Sequence, residues 1–194
     1  MQDYLVWTHS NKVKHSCVLD QLIGVKKIFE LREGVPRAST FPADAHFTMS
    51  ADFPNNTVLI DSLINTDMVI VASRRLRDFC ESRNLKCLEY LPVKIMDHKG
   101  KPVANEYFIL NPIQPVDCLD IERSEVEWDE LVKGDIDTVG QVVLDPARID
   151  PDRELFRLCK YFEPILVHRA LAEAIDREKF TGMRWIELDK YPEL

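Results

Sequence analysis

A chain of 194 residues favours a single domain, or two small lobes that share a core. Its 45% hydrophobic and 30% charged residues are typical of a globular protein, and six glycines and eleven prolines are too few for a fibrous or low-complexity chain. The net charge of −8 argues against direct nucleic-acid binding, which needs a positive face, and favours basic partners.

The five cysteines are odd in number and irregular in spacing, which makes a poor disulfide framework. The first residues lack the basic and apolar regions of a signal peptide, and no apolar run approaches the roughly 18 residues of a membrane helix. We therefore expect a cytoplasmic protein with no membrane partner.

Apolar spacing and turn residues predict the elements in chain order. The first half holds a strand at residues 4–8, a partly helical pattern at 16–31, an extended connection at 37–57, a short helix at 61–64, a strand at 68–72, a helix from Ser73 to about residue 83, and a hairpin of strands 85–96 and 103–113. The second half holds an acidic, loop-rich segment at 117–137, strands at 139–144 and 155–158, a helix at 165–179, and a strand at 184–188.

An internal repeat relates residues 70–80 to residues 165–175 without a gap. The aligned positions include three identities, namely Ile70 with Ile165, Arg74 with Arg169, and Leu76 with Leu171. The apolar stripe that one helix face would bury keeps its register as well. The sequence thus predicts one α+β domain over residues 1–194, with a mainly antiparallel sheet and helices packed on it. Two related strand–helix–strand units, at about 68–96 and 163–189, indicate an internal duplication.

Several ordered segments carry a resemblance to a known family. They are Glu33-Gly-Val-Pro36, Asp61-Ser-Leu, residues 69–76, residues 106–120, Leu144-Asp-Pro, residues 155–158, residues 167–171 and Thr181-Gly182. In this order, over roughly residues 28–188, the chain resembles the bacterial polymorphic-toxin immunity proteins catalogued as immunity family eleven, formerly a domain of unknown function. Ser73, Arg74, Arg169 and Gly182 lie in these segments. One departure is His168, which stands where the family usually has a small hydroxyl residue capping the last helix.

The resemblance implies a protein that is encoded beside a secreted or contact-delivered toxin and binds that toxin in the producing cell. Neutralisation would then be noncovalent, with the cognate toxin as partner and no enzymatic step. Two alternatives stay open: an enzyme that reverses or antagonises the toxin's chemistry, and a general protein-binding adaptor. A toxin encoded by a neighbouring gene would favour immunity over the adaptor.

No constellation of residues predicts catalysis, a metal or a cofactor. The spacing of His9, His15 and Cys17 does not fit a metal site, and the acidic neighbours of Cys118 would raise the pKa of its thiol rather than activate it. Phosphate-binding loops and nucleophile elbows are absent from the sequence.

The acidic charge is concentrated in one segment. Residues 117–154 hold thirteen acidic and four basic side chains. The resulting excess of negative charge is close to the net charge of −8 of the whole chain. Such a field attracts a basic partner, and an aromatic residue within it is a plausible anchor. The predicted partner-binding residues are Asp117, Asp120, Glu122, Glu125, Glu127, Trp128, Asp129 and Glu130. The alternative is a solvated loop whose Trp128 packs back on the core. Arg74 and Arg169 are expected to form salt bridges, with the acidic segment as the candidate partner.

Overall fold

The computed structural model of the protein describes residues 3–192, apart from the side chain of Asn105. These residues form three sheets with twelve strands in total, together with four α-helices and two short 3-10 helices. Across the same residues, no helix is both long and apolar enough to cross a bilayer. The predicted α+β class with mainly antiparallel sheets is confirmed.

The first sheet has four antiparallel strands and is buried on both faces. Its spatial order is β10 (Leu155–Arg157), β11 (Ile165–His168), β1 (Tyr4–His9) and β12 (Met183–Glu187). Alternate side chains of a strand point to opposite faces. Accordingly, Tyr4 and Val6 join one apolar cluster, whereas Leu5 and Trp7 join another.

The second sheet has six strands and is mixed. Its order is β2 (Val18–Leu19), β4 (Ser62–Asn65), β5 (Ile70–Ser73), β7 (Pro102–Pro112), β6 (Leu88–Met96) and β3 (His46–Thr48). The pairs β2 with β4 and β3 with β6 are parallel, and the other pairs are antiparallel. Where β5 and β7 pair, this sheet is also buried on both faces, because Val71 and Ile109 join one cluster while Ile70 and Leu110 join the other.

Two nine-residue helices share the central core with both sheets. They are α2 (Arg74–Ser82) and α4 (Arg169–Arg177), and the predicted apolar stripe is the face that they bury. Leu76 of α2 and Leu171 of α4 lie in the same cluster as Leu110 and Leu5 from the two sheets. The short helices α1 (Phe29–Arg32) and α3 (Ile121–Ser124) lie outside this arrangement.

The two strand–helix–strand units have the same topology. In each, the two strands are parallel and a third, antiparallel strand lies between them: β7 separates β5 from β6, and β1 separates β11 from β12. The register is also alike, since Ser73 faces Tyr107 and His168 faces Tyr4. The central strand β7 follows its unit in the chain, whereas the central strand β1 precedes its unit. A common origin by duplication stays a prediction.

Three predicted elements are wrong. The short helix expected at 61–64 is replaced by the strand β4 at Ser62–Asn65, because β4 pairs with both β2 and β5. The helix expected at 165–179 begins only at Arg169, because residues 165–168 form the buried strand β11 between β10 and β1. The strand expected at 139–144 ends at Val139 and forms β9 (Ile136–Val139), which pairs with β8 (Val126–Trp128) inside the segment expected to be loop-rich.

Candidate partner-binding surface

The acidic segment folds into a two-stranded hairpin, here called the acidic hairpin, that comprises residues 125–139. Its strands pair Val126 with Val139 and Glu127 with Thr138, with a register shift before Trp128. It carries six carboxylates and one lysine. Four of the six carboxylates are exposed and the other two are partly buried, so most of the negative charge of the hairpin faces solvent.

The stem of the acidic hairpin is fixed to the core of the four-stranded sheet. Ile136 and Val139 are buried in the cluster that includes Tyr4 and Val6. The amide of Ile136 donates a hydrogen bond to the carbonyl of Lys160 at 2.8 Å. These contacts hold the base of the hairpin, so its tip projects from a fixed support.

The tip of the hairpin is apolar and exposed. Trp128, Leu131 and Val132 expose 48%, 94% and 52% of their surface, and Trp128 therefore does not pack back on the core. Asp129 orders this tip, because its Oδ1 accepts hydrogen bonds from the amides of Leu131 and Val132 at 2.6 and 2.8 Å. The same bonds hold the pKa of Asp129 below its ordinary value. Single exposed apolar residues are common, but three at one end of a hairpin, with Trp128 at the end of β8 and the other two in the turn, are typical of an interaction site.

Half of the predicted partner-binding residues have structural contacts of their own. Asp117 pairs with Arg148 at 2.6 Å, Asp120 caps α3, Glu127 accepts a hydrogen bond from Thr138, and Asp129 orders the tip. Among the described residues, Glu122, Glu125 and Glu130 are exposed and have neither an ion-pair partner nor a hydrogen-bond partner for their side chains. These three carboxylates and Trp128 are the predicted residues most available to a partner.

A cavity of about 250 Å³ opens beside the hairpin. It lies where α1, the start of β9 and the turn at residues 160–163 meet, and Asp129 is the one predicted residue that lines it. Phe29 and Glu163 also line it and were not predicted, because nothing local in the sequence brings such distant segments together. Leu131 and Val132 were not predicted either, although apolar residues within an acidic loop were a visible signal.

Segments that carried the resemblance meet at a junction between the two sheets. The carboxylate of Asp61 accepts hydrogen bonds from Ser73 Oγ at 2.8 Å and from the amide and hydroxyl of Thr181 at 2.9 and 3.0 Å. The amide of Ser62 donates to the carbonyl of Thr181 at 2.9 Å. Gly182 has a φ of +95°, and a Cβ there would lie 2.1 Å from the carbonyl oxygen of Ser62. The junction therefore requires glycine.

The sequence model of the Immunity protein family (Imm11) matches residues 13–190 of the 194-residue chain. The chain belongs to this family. The match includes both strand–helix–strand units, the acidic hairpin and the junction at Gly182. No curated protein gives a significant match to the chain.

In this member of the immunity family, a histidine caps the last helix. Nδ1 of His168 accepts a hydrogen bond from the amide of Ala170 at 3.2 Å, while Ser73 Oγ accepts one from Leu76 at 3.3 Å at the matching end of α2. The departure from a hydroxyl residue thus keeps the cap, because an unprotonated ring nitrogen can act as the acceptor.

The two repeated arginines of the chain form ion pairs with carboxylates on strands of the sheets that pack against their helices. Arg74 pairs with Glu106 at 2.9 Å, and Arg169 donates two hydrogen bonds to Glu187 at 2.9 and 2.7 Å. The bonds from Arg169 lower the pKa of Glu187. Neither carboxylate lies in residues 117–154, so the expected pairing with the acidic segment is wrong.

Burial shifts the pKa of three cysteines and one histidine of the chain. Burial raises the thiol pKa of Cys17, Cys80 and Cys118 to about 12, which keeps them protonated at neutral pH. Burial lowers the pKa of His9 to about 4. Across the described part of the chain, no three or more His, Cys, Asp or Glu side chains are arranged so that they could hold a metal ion.

Proposed function

We propose that this protein neutralises a cognate protein toxin by binding it noncovalently through the acidic hairpin, in the cytoplasm of the cell that makes both. Membership of the Immunity protein family supports the toxin as partner. The observation that carries the proposal is the exposed apolar tip, at Trp128, Leu131 and Val132, on a hairpin that carries six carboxylates and one lysine.

The apolar tip would supply most of the binding affinity, and the carboxylates would raise the association rate. Tryptophan is enriched among interface residues that dominate binding, and burying an exposed apolar tip removes its surface from water. A concentrated negative field accelerates the capture of a basic partner and disfavours wrong ones. Because Asp129 already orders the tip, little further ordering is needed on binding.

The mechanism is steric and electrostatic. Carboxylates such as Glu122 and Glu130, which are exposed, would pair with lysines or arginines that the toxin uses to hold its own substrate, or would cover its active site. No bond is made or broken. Two observations favour this over an enzymatic antidote: three of the five cysteines are buried with a raised thiol pKa, and the family is one of immunity proteins.

The test is co-expression with the product of the neighbouring gene, scored by rescue of growth and by co-purification. The Trp128→Ala variant should weaken the complex by about 2 kcal/mol, or roughly 30-fold in Kd. The double variant Glu122→Lys/Glu130→Lys should slow association and flatten its salt dependence, since both side chains are at the rim.

A matched control is Asp52→Lys, which reverses an exposed charge in the loop after β3 and should leave association unchanged. Each variant is checked for an unaltered unfolding temperature. Rescue without any complex would replace the proposal with the enzymatic alternative, and a harmless neighbour would replace it with the adaptor. A stable complex that is insensitive to both hairpin variants would show that binding occurs elsewhere.

A further inference from the structure

The cavity beside the acidic hairpin is built from three segments that are distant in the chain. Phe29 of α1 forms one wall and exposes 47% of its surface. Tyr161 and Phe162 come from the turn after β10, and Asp137 comes from β9. At about 250 Å³ the cavity is smaller than the roughly 300–1,000 Å³ of sites for drug-sized ligands. It is of a size for one long side chain.

The walls of the cavity are held in place before anything binds. The amide of Ile136 ties β9 to the carbonyl of Lys160 at 2.8 Å. The buried guanidinium of Arg157 donates to the carbonyls of Phe162 at 2.6 Å and Met68 at 3.0 Å, which fixes the turn to the strand region of the other sheet. A preformed cavity loses little conformational entropy when it is filled.

The chemistry of the lining suits a cation on an apolar stem. Five carboxylates line it against two cations, Arg32 and Lys160; they are Glu33, Asp129, Asp135, Asp137 and Glu163. Within residues 3–192 the side chain of Asp137 has no hydrogen-bond or ion-pair partner, so it can accept from a ligand. The rings of Phe29 and Phe162 can cover the stem or stack on a planar cation.

We infer that this cavity receives an arginine side chain of the bound toxin, an assignment that rests on the proposed function. Arginine fits better than lysine because its planar guanidinium stacks on aromatic rings and donates to several carboxylates at once. The cavity is continuous with the hairpin tip through Asp129, which lines one and orders the other. A second copy of this chain is disfavoured as the occupant by its net charge of −8.

The first experiment needs no toxin. Nα-acetyl-arginine N-methylamide is titrated into the isotopically labelled protein, and the amide signals of residues 29, 136–137 and 162–163 are followed by NMR. They should shift with the arginine compound and not with its citrulline counterpart, which has the same shape without the charge. The double variant Asp137→Asn/Glu163→Gln should weaken this binding roughly tenfold. Equal response to citrulline, or equal binding of the lysine compound, would overturn the arginine assignment.

The second experiment separates this inference from the proposed function. The same double variant is assayed against the toxin beside Trp128→Ala, whose side chain does not line the cavity. Weaker toxin binding by both variants supports the arginine cavity. Weaker binding by Trp128→Ala alone overturns the cavity and leaves the hairpin proposal standing. If the wild-type protein fails to bind the toxin, the proposed function fails and the assignment fails with it.

Discussion

Replacing Gly182 by alanine should destabilise the protein strongly, because two separate costs arise at one position. The φ of +95° places an alanine in a strained backbone region, which costs about 1–2 kcal/mol. The added Cβ would also lie 2.1 Å from the carbonyl oxygen of Ser62 and 2.8 Å from Cδ1 of Ile60. Relieving such overpacking costs about 1–3 kcal/mol more.

The clash at Gly182 cannot be relieved by rotating a flexible side chain. Ser62 belongs to β4, and its amide is bonded to the carbonyl of Thr181 at 2.9 Å, so moving the backbone weakens the bond that joins the sheets. The expected total of about 2–5 kcal/mol is a large part of a typical folding free energy of roughly 5–15 kcal/mol. For a chain of this size it should lower Tm by roughly 10 °C.

The control is Gly134→Ala. Gly134 has a similar φ of +102°, but a Cβ there would meet nothing within 4 Å. It should therefore cost only about 1 kcal/mol of backbone strain. Urea unfolding of the wild type and both variants measures the difference. If the two variants unfold within about 0.5 kcal/mol of each other, the close approach at Gly182 does not restrain the junction and the reasoning is refuted.

Two further predictions concern titratable groups. Because burial lowers the pKa of His9 to about 4 from its ordinary 6.5, its contribution to stability is complete above pH 6.5 and is lost as pH falls toward 4. Between pH 7 and pH 5 the free energy of unfolding in urea should therefore fall by about 2 kcal/mol more for the wild type than for His9→Gln. An equal fall for the two proteins would contradict this. For the thiols, Ellman's reagent should label the native protein quickly only at the two partly exposed cysteines, Cys87 and Cys159, and at all five after unfolding. Fast labelling of Cys17, Cys80 or Cys118 in the native protein would show that the core opens readily.

Local patterns predicted α2 and several strands well. The N-cap residue Ser73 and the apolar face formed by Leu76 and Cys80 define α2. All three residues lie within the helix or next to it, so the local sequence is enough to predict it. The apolar run at residues 165–168 was mistaken for helix because such a run suits a buried strand equally well, and only pairing with β10 and β1 decides between them.

Features that depend on distant contacts could not be predicted. Asp61 and Thr181 are 120 residues apart, and nothing near either residue indicates that they meet. For the candidate surface, charge composition indicated the segment that forms the acidic hairpin, yet it could not distinguish Asp117, which pairs with Arg148, from Glu130, which is exposed without an ion-pair partner among the described residues. The cavity was missed entirely because its walls come from three segments.

The position of β1 between β11 and β12 has a consequence for how the chain folds during synthesis. The six-stranded sheet uses residues 18–112 and can assemble early, whereas Tyr4 must wait for His168 before its strand has a partner. Pairings between such distant residues form slowly. Until then the four consecutive core residues of β1 remain open to water and to other chains. Folding of nascent chains should therefore show a late, cooperative step once residues 165–187 emerge from the ribosome, with a need for chaperone protection before it.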